Sequence, residues 1–173
     1  MHLRDFTPEH YPAIVKIHNA LYPDRSRTPE GWTRADAHRD PKCKFHRWVA
    51  VEDGIVVGFG AHDQDIGDYA PRRFYVDFKV MPDFQRRGIG KALYDHVMAA
   101  LEPFAPNVLR ANAYEDRPEG FAFMQRRGFF EAWRETPVRL DLAAVDLTAY
   151  AGLEEGLARA GIRILTLADL ADD

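Results

Sequence analysis

Cysteine is nearly absent from this chain. Its 173 residues include one, Cys43, so neither an internal disulfide nor a cysteine-based zinc cluster can form. Cys43 lies between Lys42 and Lys44 in no nucleophile motif and reads as an incidental thiol. The seven histidines contain no H-x-x-x-H pair, and no metal is expected. No apolar run approaches the ~18 residues that span a membrane. The N-terminus, Met1-His2-Leu3-Arg4-Asp5, lacks the apolar stretch of a signal peptide, which points to a cytoplasmic protein. Charge of one sign is also lacking. A net charge of −4 argues against general binding to nucleic acid or to a membrane surface. No internal repeat or low-complexity tract breaks the chain, and a hydrophobic content of 46% supports a folded core.

The richest stretch runs from Phe74 to Leu101. Phe74, Val76, Phe78 and Val80 alternate with Tyr75, Asp77 and Lys79, the period of a strand with two unlike faces. Pro82 ends the pairing. Ile89, Leu93, Val97 and Leu101 then recur at helical spacing, and Pro103 stops that helix. Between strand and helix stands Gln85-Arg86-Arg87-Gly88-Ile89-Gly90. Its glycines let backbone approach a ligand closely. The first helical N–H groups lack internal acceptors, and Arg86, Arg87 and Lys91 add positive charge, so the turn suits a phosphate or pyrophosphate. It is neither of two common phosphate motifs. Leu93 occupies the third glycine of a dinucleotide fingerprint, and Gln85 and Ala92 miss two P-loop positions.

Around this centre the pattern predicts strands at 2–6, 46–52, 55–62, 74–80 and 107–114, with helices at 8–22 and 29–39. Thr7-Pro8 opens the first helix, and Asp53-Gly54 is a two-residue hairpin signal. Residues 63–73 form a polar loop without the D-x-D-x-D-G pattern of a calcium site. Asp116 and Glu119 have capping-box spacing, Pro118 starts a helix and Gly128 closes it. Alternation predicts two more strands, at 129–134 and 138–142. A tail helix over 147–160 capped by Gly161, with a short strand at 162–165 and a terminal stretch Thr166–Asp173, completes the reading.

The string Val80-x-Pro82-x-x-Gln85-Arg86-x-Gly88-Ile89-Gly90, after an alternating strand, resembles the acetyl-coenzyme A motif of the GNAT superfamily of N-acetyltransferases. Phe123-Met124-Gln125-Arg126-Arg127-Gly128-Phe129 resembles the family's second signature, where a helix ends in Gly-Phe. The resemblance implies an α/β fold of the α+β type, with a mixed, mostly antiparallel central sheet flanked by helices and splayed between the Phe74 and Asn107 strands. It implies backbone contacts to pantetheine from Phe78, Val80 and Met81. It places the pyrophosphate among Gln85, Arg86, Arg87, Gly88, Ile89, Gly90 and Lys91. The loop after the first helix, with Asp24, Arg25, Arg27 and Trp32, would border the acceptor.

The implied activity is acetyl transfer from acetyl-coenzyme A, as cosubstrate, to a primary amine on a small molecule or peptide. Two departures bear on the chemistry. A tyrosine common five residues before the Gly-Phe phenylalanine is Met124 here, and an asparagine that often contacts pantetheine is Arg117. Tyr114 is the substitute acid, with Glu115 and Asp77 as candidate bases; His62 reads as a surface residue. A catalytically weak module that binds coenzyme A for a regulatory role is the alternative. The motif-bearing domain is expected to cover 1–142. The extension at 143–173 resembles the joint of tandem GNAT proteins, with a second domain or a homodimer partner to cover it.

Overall fold

The computed structural model describes residues 1–169, so the last four residues of the expected terminal stretch lie outside it. Two compact units divide the chain, Met1–Phe130 and Glu131–Asp173.

In the first unit five strands, β1 (His2–Asp5), β2 (His46–Glu52), β3 (Ile55–Asp63), β4 (Arg73–Val80) and β5 (Val108–Arg110), form one sheet in chain order. β1 to β4 are antiparallel. β4 and β5 are parallel, which demands a crossover. Helix α3 (Ile89–Leu101) provides it. The sheet is thus mixed and mostly antiparallel, as expected. Asp53 and Gly54 both take positive φ, 49° and 77°, the conformation a two-residue hairpin between β2 and β3 requires.

Each face of the sheet buries a helical layer. On one, Tyr11, Ile14 and Ile17 of α1 (Tyr11–Leu21) pack on Val49, Val51 and Phe59. On the other, Ile89, Leu93, Val97 and Leu101 of α3 fall on one stripe and meet Val57, Phe74, Val76 and Trp48. α3 lies close because β3 presents glycines beneath it. A Cβ on Gly58 would stand 2.9 Å from the Lys79 carbonyl and 3.3 Å from Leu93 Cδ1. Helix α2 (Pro29–Ala37) is tied to the sheet by charge. Asp36 accepts hydrogen bonds from Arg47 and from the Tyr11 hydroxyl, both at 2.8 Å.

Several expected elements differ. The strand expected over 107–114 pairs only at Val108–Arg110, because beyond Tyr75 β4 and the following chain part company. Helix α4 (Pro118–Gln125) starts with Arg117, not Asp116, as its N-cap, and no side chain caps it. Pro118 fixes the first helical position, which leaves Asp116 one residue too early for the capping box. Its other end matches expectation. Gly128 has φ 87°, with Phe129 N–H donating to the Met124 carbonyl at 3.2 Å and Gly128 N–H to Gln125 at 3.0 Å, a Schellman closure.

The strands expected at 129–134 and 138–142 do not form. Alternation gives a segment two faces, but a strand exists only through a ladder partner, and Phe130 and Val138 are 83% and 91% exposed. In the second unit the expected tail helix shortens to α5 (Leu153–Arg159), behind a 3-10 turn at Thr148–Tyr150. Gly152, at φ 79°, breaks the two apart. Gly161 closes α5 as expected, with Ile162 N–H donating to the Leu157 carbonyl at 2.9 Å. Residues 162–165 make no strand, for the same want of a partner.

Candidate active site

The divergence of β4 from the chain after β5 opens a cleft of about 480 Å³. One wall is Val76 to Val80, the other Ala111 to Tyr114, with Gly120, Phe123 and Met124 of α4 alongside. The hydrogen-bond pattern of β4 follows from its register. Met81 N–H donates to the Val57 carbonyl at 2.8 Å, and antiparallel residues alternate in which side they bond. Tyr75, Asp77 and Lys79 therefore bond to β3. On the other side the pairing of Tyr75 with Arg110 commits the Val76 N–H to β5, and Phe78 and Val80, beyond it, turn their N–H groups toward the cleft. The Val80 carbonyl is taken by Gln85 Nε2 at 3.1 Å, so this part of the edge offers donors. Phe78 and Val80 line the cleft. Met81 does not: it lies off the cleft wall, its N–H is committed to Val57, and its carbonyl accepts from Phe84 N–H at 2.9 Å.

At one end of this edge lies the anion cradle. Arg86 and Gly88 take left-handed φ values of 63° and 85°, which turn the chain sharply into α3. The N–H groups that open α3 are left without helical acceptors. Gln85, Arg86, Gly88, Gly90 and Lys91 line the cleft. A Cβ on Gly90 would come 3.3 Å from the Phe123 ring, so only a glycine leaves the passage its width. Ile89 contributes its place in the chain alone, since its side chain is buried in the core. Arg87 is not on the wall; its guanidinium donates to the Asp83 carbonyl at 2.9 Å and covers the Phe84 ring.

At the other end, Leu21, Tyr22, Asp77, Lys79, Tyr114 and Arg117 meet. The Tyr22 and Tyr114 rings stand 5.0 Å apart, and the Arg25 guanidinium covers Tyr114 at 4.2 Å. The loop that carries Arg25 is pinned by Asn19, which bonds both the N–H (2.8 Å) and the carbonyl (3.0 Å) of Arg27. Burial, then the charge of Asp77 and the nearby Tyr114, push the Tyr22 hydroxyl up to about 12, so it stays protonated at neutral pH. Asp77 is ion-paired to Lys79. Of the expected acid–base group, Tyr114 and Asp77 reach the cleft and Glu115 does not line it. Trp32 packs edge-on against Phe59 in the core. Tyr22 and Lys79 are functional-site candidates that sequence reasoning missed. Tyr22 looked like one more member of the α1 stripe, although its position just before Pro23 at a helix end was a signal. Lys79 alternates with Asp77 on the polar face of β4.

His62, expected at the surface, is only 4% exposed. Trp48, Phe74 and Phe104 surround its ring at 5.6 to 5.9 Å. Burial lowers its pKa to about 4, with His46 adding to the shift. It does not line the cleft. Among the described residues no cluster of three or more His, Cys, Asp or Glu could hold a metal ion, and no helix is long and apolar enough to cross a membrane.

The architecture is thus that of an α/β protein whose mixed sheet opens at β4 into a cleft, with a glycine-bearing helix start at one end and a polar pocket at the other. The particular family follows from sequence: the profile of the Acetyltransferase (GNAT) family matches residues 11–129, well over half of the chain, and the chain belongs to that family. No curated protein matches it in sequence. Solved structures share the fold at low identity. A protein described as a transcriptional regulator from Bacillus halodurans C-125 has 16% identity and a TM-score of 0.64, covering 80% of this chain and 99% of its own. The ribosomal-protein-alanine N-acetyltransferase of Brucella melitensis has 21% identity and a TM-score of 0.62, covering 77% and 86%. An aminoglycoside N-acetyltransferase, AAC(6')-Iy, in complex with CoA has 18% identity and a TM-score of 0.60, covering 80% and 93%.

Proposed function

We propose that this protein transfers the acetyl group of acetyl-coenzyme A to a primary amine. The observation that carries the reading is the pair of N–H groups of Phe78 and Val80, beyond the last β5 partner and unused by the sheet, on the wall between the cradle and the Tyr22–Tyr114 pocket. An extended amide-containing arm would pair with such an edge as an added strand. Its pyrophosphate would lie against the helix start and Arg86 and Lys91. The structure holding CoA, AAC(6')-Iy, shares this fold.

The chemistry asked of the protein is modest. The amine nitrogen attacks the thioester carbonyl carbon, the C–N bond forms, the C–S bond breaks, and the thiolate leaves. An N–H of the β4 edge stabilises the negative oxygen that develops on that carbonyl. The ammonium form of the acceptor must lose one proton before it attacks and a second from nitrogen as the amide forms; the thiolate gains one and the other goes to solvent. Asp77, a carboxylate on the cleft wall, is assigned the first of these tasks. Tyr114 is the assigned donor to the thiolate, with Tyr22, kept protonated by its surroundings, beside it.

Met124, buried against the cleft in place of a phenol, favours a second reading, a binding module with little turnover. Thiol release from acetyl-coenzyme A with a panel of primary amines separates the two. Release dependent on one acceptor class is the expected result. Coenzyme A binding without release from any amine would establish the module, and absence of binding would remove both.

A further inference from the structure

The acceptor end of the cleft has an unanswered charge. Lys79 is neutralised by Asp77. Arg86 and Lys91 stand at the cradle. Arg126 and Arg127 lie at the far end of α4, about 13 Å from Arg117 at the helical rise of 1.5 Å per residue, and Arg127 donates to the Phe123 carbonyl at 2.9 Å. Arg117, a turn away from Tyr114, lines the cleft uncommitted. Its Nε is buried without an acceptor, and its guanidinium makes no hydrogen bond or ion pair among the described residues. A guanidinium on a cleft wall with no protein partner presents a fork of donors shaped for a carboxylate. Arg117 N–H donates to the Tyr114 carbonyl at 3.0 Å, and the Tyr114 ring stands 5.0 Å from that of Tyr22, so Arg117 joins this aromatic pair on the cleft lining. Leu21, Tyr22 and Tyr114 give this part of the lining an apolar and aromatic surface, with Asn112 and Glu119 also on the lining.

We propose that the acceptor is an amino acid with an apolar or aromatic side chain, its carboxylate held by Arg117 and its side chain against Tyr22 and Tyr114. This rests on the acetyltransferase reading, which supplies the amine. An amine without a neighbouring anion would forgo the contact with Arg117, so the site favours an amine that carries a carboxylate.

The test uses the full chain with coenzyme A present and compares two acetylated probes, N-acetyl-L-phenylalanine and N-acetylphenethylamine, which differ by the carboxylate. By calorimetry the acid should bind tighter by about 10- to 100-fold, the range of a charge-assisted hydrogen bond. Arg117→Gln should bring that ratio close to one, and Arg117→Lys should restore part of it, with melting curves confirming that both variants fold. Equal binding of the two probes, or no binding of the acid, overturns the proposal. So does an Arg117→Gln variant that weakens coenzyme A binding yet leaves the ratio unchanged, which would put Arg117 on the cosubstrate. Turnover of L-phenylalanine, L-phenylalaninamide and phenethylamine is measured in parallel. Preferential binding of the acid without thiol release from any of the three would sink the acetyltransferase reading and keep the carboxylate subsite. Equal turnover of all three would do the opposite, and a preference for the amide would point to peptide N-termini instead of free amino acids.

Discussion

His62 and Tyr114 show how the setting of one side chain decides what it can do. The aromatic corner around His62 keeps the imidazole neutral, with a folded pKa of about 4 against an ordinary 6.5. The sign follows from proton counting: between those values the unfolded chain binds more protons than the folded one, so stability is full above pH 6.5 and declines as pH falls toward 4. For a side chain this deeply buried the shift corresponds to about 3 kcal/mol. We therefore expect denaturant unfolding to show a marked loss of stability from pH 6.5 to 4, and His62→Phe, which keeps an aromatic ring in the corner, to flatten that slope. A variant with the slope of the wild type would mean that other groups set the acid sensitivity. Tyr114 faces the cleft instead of the core. If its phenol protonates the departing thiolate, Tyr114→Phe should lower kcat about 10²-fold or more while coenzyme A binding changes little, because the interaction arises only in the transition state. An unchanged kcat would leave Tyr22 or solvent as the donor.

At the level of elements, the turn from β4 into α3 is where backbone geometry and ligand chemistry coincide. Gly88 sits at φ 85°, a conformation that costs an L-residue about 1–2 kcal/mol, and Gly90 faces Phe123 across the passage. Gly88→Ala should lower the melting temperature of the free protein. Gly90→Ala should instead reduce the stabilisation that added coenzyme A gives, through about a tenfold weaker affinity, or 1.4 kcal/mol. Equal coenzyme-induced shifts in wild type and both variants would remove the reason for placing a pyrophosphate at this turn. This turn was legible in the sequence because its determinants are local: an alternating strand, Pro82, two glycines and a helical stripe all within 28 residues. The hairpin at Asp53-Gly54 and the Gly128 closure were legible for the same reason. The acceptor wall was not. Tyr22, Lys79, Tyr114 and Arg117 come from α1, β4 and the chain between β5 and α4, and only the parting of β4 from β5 brings them together. The burial of His62 was likewise hidden, since Trp48, Phe74 and Phe104 reach it from three separate segments. The alternating segments after Gly128 misled, because alternation records two faces and carries no information about a partner strand.

Across the whole molecule, charge and mass are unevenly shared. A chain of net charge −4 gathers six cations, Lys79, Arg86, Lys91, Arg117, Arg126 and Arg127, against two anions, Asp77 and Glu119, on the lining of one cleft. A field of that kind draws in an anionic cosubstrate, and its effect on the association rate falls as salt rises. Every residue lining the cleft belongs to the first compact unit, and so do all the core clusters. No described residue of the second unit is buried, and Trp133, Leu142, Leu147, Ile164 and Leu167 expose large apolar side chains. Exposed apolar surface is what an association would cover, and we propose that residues 143–173 join a second domain or a partner subunit. Two shortened proteins, ending at Phe130 and at Leu142, follow from this division. Both should keep the melting temperature of the full chain within a few degrees, and both should be stabilised by coenzyme A to the same extent. Loss of that response in the Phe130 form alone would extend the cosubstrate-binding domain through 131–142. A large drop in melting temperature for both would make residues 143–173 an integral part of the acetyltransferase fold.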